Sequence, residues 1–217
     1  MAAFGRLKNI ATTALLTAAL ATGTALPALA ATPTAAPAPA TTTATASATS
    51  ASAKPDYATW QADIAAVLDQ ADAYVDGRTA SLPAGEKPAI VLDIDNTSLE
   101  TDYSWAFPTP AIHRTLALTE FAHARGVKIF FVSARPNFIE SITRYNLTSV
   151  GYPVDGLYGR SIGDLFSEVS AFKTAQRVKI EKNGYTIIAN IGNNTTDLTG
   201  GHAERTFKLP DYNGELS

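Results

Sequence analysis

Val91-Leu92-Asp93-Ile94-Asp95-Asn96-Thr97-Ser98-Leu99-Glu100 is an apolar run that ends abruptly in two carboxylates one residue apart. With the residues before it, Pro88-Ala89-Ile90-Val91-Leu92 reads as a strand buried on both faces, because it is continuously apolar and rich in β-branched side chains, as strands of parallel sheets are. Such a strand delivers Asp93 and Asp95 to its carboxyl end, where open α/β sheets place their ligands. Two carboxylates this close repel unless a cation or a shared proton offsets the charge, so the pair points to a metal, a proton-transfer site, or both.

Around this strand the pattern alternates. Tyr57, Trp60, Ile64, Val67, Leu68, Ala71 and Val75 recur at helical spacing and predict an amphipathic helix over 56–75, closing near Asp76-Gly77. Further helices are expected over about 110–124, 136–147 and 170–181, and further strands over 127–132, 156–159, 185–191 and 206–209. The alternation implies a mainly parallel sheet with right-handed crossovers in a three-layer α/β/α domain.

Residues 1–30 read as an export signal. Arg6 and Lys8 make a basic start, 10–20 is an apolar stretch too short to span a bilayer, and Ala28-Leu29-Ala30 is a small-x-small cleavage site. A secreted product without a stable membrane anchor is therefore expected. Residues 31–55 are almost wholly Ala, Thr, Pro and Ser, a solvated linker, which leaves 56–217 as one domain with enough chain to bury a core. With Arg6 and Lys8 set aside, the 17 basic residues fall to 15 against 20 acids, a net charge of −5. That balance disfavours a nucleic-acid polymer as partner. The absence of cysteine excludes disulfides, thiolate catalysis and cysteine-type zinc sites, and His113, His123 and His202 lack the spacing of metal ligands.

Three of the expected strands end in polar residues: Asp93 with Asp95, Ser133, and Asn193 with Asp197. A parallel sheet puts these ends on one rim, so groups about 100 residues apart in the chain converge.

In this order, those residues make the chain resemble the haloacid dehalogenase (HAD) superfamily phosphohydrolases, most of all their secreted acid phosphatases of classes B and C. Asp93-Ile94-Asp95-Asn96-Thr97 is similar to the family's DxDxT, and Ser133 after an apolar strand to its second motif. Lys173 is similar to the third, and Gly192-Asn193-Asn194-Thr195-Thr196-Asp197 to the fourth, GDxxxD. The resemblance implies a Rossmann-like HAD fold with a minimal cap and an exported, Mg²⁺-dependent acid phosphatase acting on small phosphomonoesters. It gives Asp93 the role of nucleophile, forming an aspartyl-phosphate, and Asp95 that of the acid which protonates the leaving alkoxide and then activates water. Ser133, the Ala134 amide and Lys173 would bind the phosphate, helped by the dipole of a helix starting nearby. Mg²⁺ would be held by Asp93, Asp95, Asn193 and Asp197.

The chain departs from the family pattern where the fourth motif's first Asp is Asn193. An amide oxygen ligates Mg²⁺ without contributing charge, so affinity should fall and Asn193→Asp should tighten binding. A phosphate-binding or storage-like protein with weak catalysis is the alternative this suggests, and phosphoryl transfer to an acceptor alcohol is another. Only 35 residues separate Thr97 from Ser133, which leaves room for a minimal cap and an open site. Tyr103, Trp105 and Phe107 either stack on an aromatic leaving group or pack against the fold. Arg135 either reaches a second substrate anion or forms a salt bridge.

Overall fold

The structure is a computed structural model that describes residues 54–216; the expected export signal and nearly all of the linker lie outside them. Its five strands are β1 Pro88–Leu92, β2 Lys128–Pro136, β3 Gly156–Arg160, β4 Thr186–Gly192 and β5 Arg205–Lys208. All pair in parallel, in the order β3-β2-β1-β4-β5. The helices are α1 Tyr57–Thr79, α2 His113–Ala124, α3 Glu140–Ser149, α4 Val169–Lys182 and the single turn α5 Thr195–Leu198.

Central placement explains why β1 is apolar at every position: it has a strand on each side and helices over each face. Ile90 and Leu92 point with Ile129 and Phe131 into a core shared with Trp60, Ile64 and Leu68 of α1 and Leu118 and Ala122 of α2. Ala89 and Val91, on the other face, join Phe130, Val132 and Ile187 against Phe172 and Ile180 of α4. This is the two-residue period of a strand, read out in two layers of helix. The chain leaves β1 toward β2 and β3, then crosses back to β4 and β5, so strand order reverses between β1 and β4. Ligands of open α/β sheets bind outside the carboxyl ends at such a switch point.

Besides α2, which starts at His113, and the unforeseen turn α5, three elements differ from the sequence reading. α1 begins after Asp56, whose carboxylate accepts from the Thr59 amide at 2.9 Å, and runs past Gly77 to Thr79. β2 continues through Ser133, Ala134 and Arg135 after a register shift against β3, with Pro136 its last residue. The following helix therefore starts at Glu140, after a 3₁₀ turn over Asn137–Ile139. No described helix is long and apolar enough to cross a membrane.

Candidate active site

Beyond β1, the Asp93 amide donates to the Ile191 carbonyl at 3.0 Å, tying the residue to β4. The chain then turns sharply, with the Ile94 carbonyl accepting from the amides of Ser98 at 2.8 Å and Leu99 at 2.9 Å. Asn96 takes a φ of +52°, a left-handed conformation that asparagine tolerates, and Ser98 Oγ donates to the Asp93 carbonyl at 2.6 Å. The turn presents Asp93 and Asp95 to a cavity of about 240 Å³. Ser133, Ala134, Lys173, Asn193 and Asp197 line the same cavity, so every candidate site residue named from the sequence is brought together.

The cavity floor is a buried ionic triad. Lys173 Nζ stands 2.6 Å from Asp93 Oδ1 and 2.5 Å from Asp197 Oδ1, and no side chain of the three is more than 8% exposed. Burial pushes the Asp93 carboxyl up to about 7; Lys173 opposes that shift and the Asp197 charge adds to it. Burial also opposes the charge on Lys173, but its two carboxylate partners outweigh this and hold its pKa above the ordinary value. Asp197 was expected among the metal donors. Its second carboxylate oxygen accepts from the Asn194 amide at 2.8 Å, so both oxygens already have protein partners. Its carbonyl is fixed by Asn190 Nδ2 and Arg177 Nη1 at 2.9 and 2.7 Å. Gly192 is required beside it, because a Cβ there would collide with the Asp197 side chain.

Asp95 sits differently. Its side chain is 40% exposed and is gripped by the Arg135 fork, Nε at 2.9 Å and Nη2 at 2.6 Å, with Thr101 Oγ1 donating at 2.9 Å. Burial opposes ionisation, but the Arg135 hydrogen bonds and charge win and hold the carboxyl below its usual range. Of the two roles open to Arg135, the salt bridge is the one seen. Ser133 is buried and its Oγ accepts from the Arg135 amide at 3.2 Å. The helix expected from Pro136 begins as a 3₁₀ turn at Asn137 and becomes α-helical at Glu140.

Asn193 is buried at the end of β4, and its Oδ1 accepts from Thr97 Oγ1 at 3.1 Å. Asp93, Asp95 and Asn193 bring carboxylate, main-chain carbonyl and amide oxygens, all hard donors, to the lining of one cavity. They fit an oxygen-preferring divalent cation. Among the described residues no group of three or more His, Cys, Asp or Glu side chains converges as a carboxylate cage would. Of the three aromatic residues after β1, Tyr103 packs inward, stacked on Trp60 at 4.2 Å with its hydroxyl donating to the Pro55 carbonyl. Trp105 and Phe107 are exposed.

An open parallel sheet carrying Asp, Ser, Lys and Asn/Asp groups to one rim across a switch point is the architecture of a HAD-type phosphohydrolase. Residues 102–215 match the family model for HAD superfamily, subfamily IIIB (acid phosphatase), and the chain belongs to that family. The matched segment starts downstream of Asp93 and Asp95. The class C acid phosphatase from Bacillus anthracis shares the fold, with a TM-score of 0.56 at 18% identity over 71% of this chain and 79% of that one. A stem 28 kDa glycoprotein of Glycine max is 32% identical over 142 residues, 63% of this chain and 56% of that protein. Vegetative storage protein 1 of Arabidopsis thaliana is 31% identical over 121 residues, 54% of this chain and 44% of that protein. The chain spans about half the length of these curated relatives.

Proposed function

We propose that this chain is an exported, Mg²⁺-dependent acid phosphatase that hydrolyses small phosphomonoesters through an aspartyl-phosphate. The observation that carries the reading is the Lys173 ammonium held 2.6 Å from Asp93 at the floor of an open cavity. Burying ions costs several kcal/mol each, more than their pairing reliably returns, so a fold gains little from such a triad for stability alone. A carboxylate that must meet an anionic phosphate gains an oriented, charge-offset position.

In the proposed reaction an Asp93 oxygen attacks phosphorus in line, and the bond from phosphorus to the leaving oxygen breaks. Asp95 passes a proton to that alkoxide, a relay of the kind that contributes about 10²- to 10⁴-fold. Water then attacks the aspartyl-phosphate, Asp95 takes its proton, and phosphate departs with the Asp93 carboxylate restored. Ser133 and the Ala134 amide donate to the transferring oxygens, and Lys173 offsets their charge. Asp197 holds Lys173 in place. Asp93, the Asp95 carbonyl and the Asn193 oxygen would hold Mg²⁺, which would supply the positive charge that lets a carboxylate approach phosphate. Arg135 keeps Asp95 ionised in the unloaded site; an incoming phosphate dianion competes for the guanidinium and returns Asp95 to a proton-holding state.

The direct test is Asp93→Asn. Turnover of an aryl phosphate should drop by about a thousandfold or more, some 4 kcal/mol in barrier, with unchanged circular dichroism. Full activity in that variant eliminates the nucleophile assignment. Chelator should silence the wild type and Mg²⁺ restore it. Asn193 and the likeness to the Arabidopsis storage protein favour a second reading, a phosphate-binding or storage-like protein, and wild-type turnover no faster than that of Asp93→Asn would select it.

A further inference from the structure

We infer that the C-terminal turn over 211–216 is a positioning element of the cation site, latched there by Asn193, and that this is why residue 193 carries an amide where the family motif has a carboxylate. The inference rests on the cation reading above.

Leu216 is fully buried, and its amide donates to the Asp211 carbonyl at 3.1 Å, closing the turn. Its own carbonyl accepts from two asparagines: Asn193 Nδ2 at the end of β4, and Asn96 Nδ2 in the turn after β1, the latter at 3.3 Å. Each of those amides also accepts. Asn193 Oδ1 takes the Thr97 hydroxyl at 3.1 Å, while Thr97 Oγ1 accepts the Asn193 backbone amide at 3.0 Å. Asn96 Oδ1 takes the Asp102 amide at 3.0 Å. One C-terminal carbonyl thus joins the two loops that supply the proposed cation donors.

The job at 193 needs a group that accepts on one side and donates on the other. An aspartate keeps the Thr97 bond but sets a second acceptor against the buried Leu216 carbonyl, which is left with the longer Asn96 bond alone. The segment is tethered nearby as well: the Leu209 amide donates to the Gly192 carbonyl at 2.9 Å, and Lys208 Nζ bonds the Asn193 carbonyl and lies 3.0 Å from the Asp211 carboxylate. With Thr97 on one side and Leu216 on the other, the Asn193 amide has one orientation, since turning it over sets its oxygen against the Leu216 carbonyl, an acceptor only. Releasing the turn frees the amide to rotate, and the cavity loses a fixed oxygen.

The test uses the full chain, hydrogen exchange read by mass spectrometry and Mg²⁺ binding read by calorimetry, neither of which needs turnover. Leu216→Ala withdraws the buried side chain that seats the carbonyl, and Asn193→Asp withdraws the donor. Asn193→Asp should speed exchange across 209–216 by about tenfold, the effect of one buried hydrogen bond, and Leu216→Ala, which empties a buried leucine site, by more, with β1 and β4 unchanged. Asn194→Asp adds the same charge one residue away, at an α5 cap that aspartate also fills well, and should leave exchange at the wild-type rate. Because the added charge of Asn193→Asp strengthens Mg²⁺ binding on its own account, Leu216→Ala reports positioning: its Mg²⁺ affinity should fall severalfold. A segment as protected in Asn193→Asp as in the wild type overturns the latch. A segment released in Leu216→Ala with Mg²⁺ affinity intact overturns the positioning role. If Asn193→Asp fails to fold, Asn193→Ala, which withdraws the same donor without adding charge, decides the latch, and Leu216→Ala decides the positioning role. A wild type that binds no Mg²⁺ overturns the cation reading, and the positioning role with it, while exchange still decides the latch.

Discussion

The floor and the rim of the cavity are built by opposite rules. On the floor, Asp93, Lys173 and Asp197 are shut away from solvent and satisfied by one another; on the outer rim, meaning the segments that leave the carboxyl ends of β1, β2 and β3, Trp105, Phe107, Phe138 and Phe166 present apolar rings that are 62% exposed or more. The floor fixes a few polar atoms to within a hydrogen bond, which a reacting carboxylate needs. The rim fixes little and excludes little, as expected where the chain between the first two motifs is too short to fold into a cap. Reaction geometry and substrate choice are thus separable, and mutations should separate them.

The deepest cut is Lys173→Met. It leaves Asp93 and Asp197 buried and facing each other without a cation, the kind of broken pair that costs about 3 to 5 kcal/mol. Denaturant unfolding in the presence of chelator measures it. Lys173→Met combined with Asp197→Asn should recover much of that stability and none of the activity. Recovery of both would make the triad a structural plug, and the contrast between floor and rim would lose its meaning.

How much of this was legible in the sequence depends on range. β1 could be read because five apolar residues in a row leave no polar face, and the sheet followed from the alternation of strand and helix. Lys173 could be placed only through the resemblance, because nothing in its helix distinguishes it from a solvated lysine. The Arg135–Asp95 pair spans 40 residues and carries no local signature. Neither does the Leu216 carbonyl between two asparagines, since a main-chain acceptor has no side-chain pattern to betray it. Pro136 reads as the first residue of a helix, yet it ends β2 at a register shift, where a missing donor is tolerated. α5 is a single turn, too short for any helical period to register.

Arg135 lies between floor and rim, and its removal should have an intermediate effect. In the wild type it holds the Asp95 pKa below the ordinary value, so Asp95 contributes stability above its unfolded pKa that disappears as pH falls through the folded one. Arg135→Met should therefore melt at a lower temperature than the wild type at pH 6, with the gap closing toward pH 3. For turnover the sign reverses. An acid that must hold a proton fails as pH rises through its pKa, so the high-pH limb of kcat/KM, which reports the free enzyme where Arg135 grips Asp95, should move upward in the variant while that of kcat moves less. An unmoved limb would take Asp95 out of the proton relay and leave the pair as a plain salt bridge.

Trp105→Ala is the smallest change and the one that tests the rim alone. The side chain is fully exposed and has no packing to lose, so unfolding stability should stay within about 0.5 kcal/mol of the wild type. If the ring stacks on the leaving group, the Michaelis constant for aryl or nucleoside phosphates should rise about three- to tenfold while glycerol phosphate is spared, because only a flat apolar group gains from an aromatic face. The kcat for both should hold, since the triad beneath is untouched. Equal changes for both substrates would mean that the indole shapes the loop after β1 and reaches the chemistry through the turn that carries Asp95, joining rim to floor.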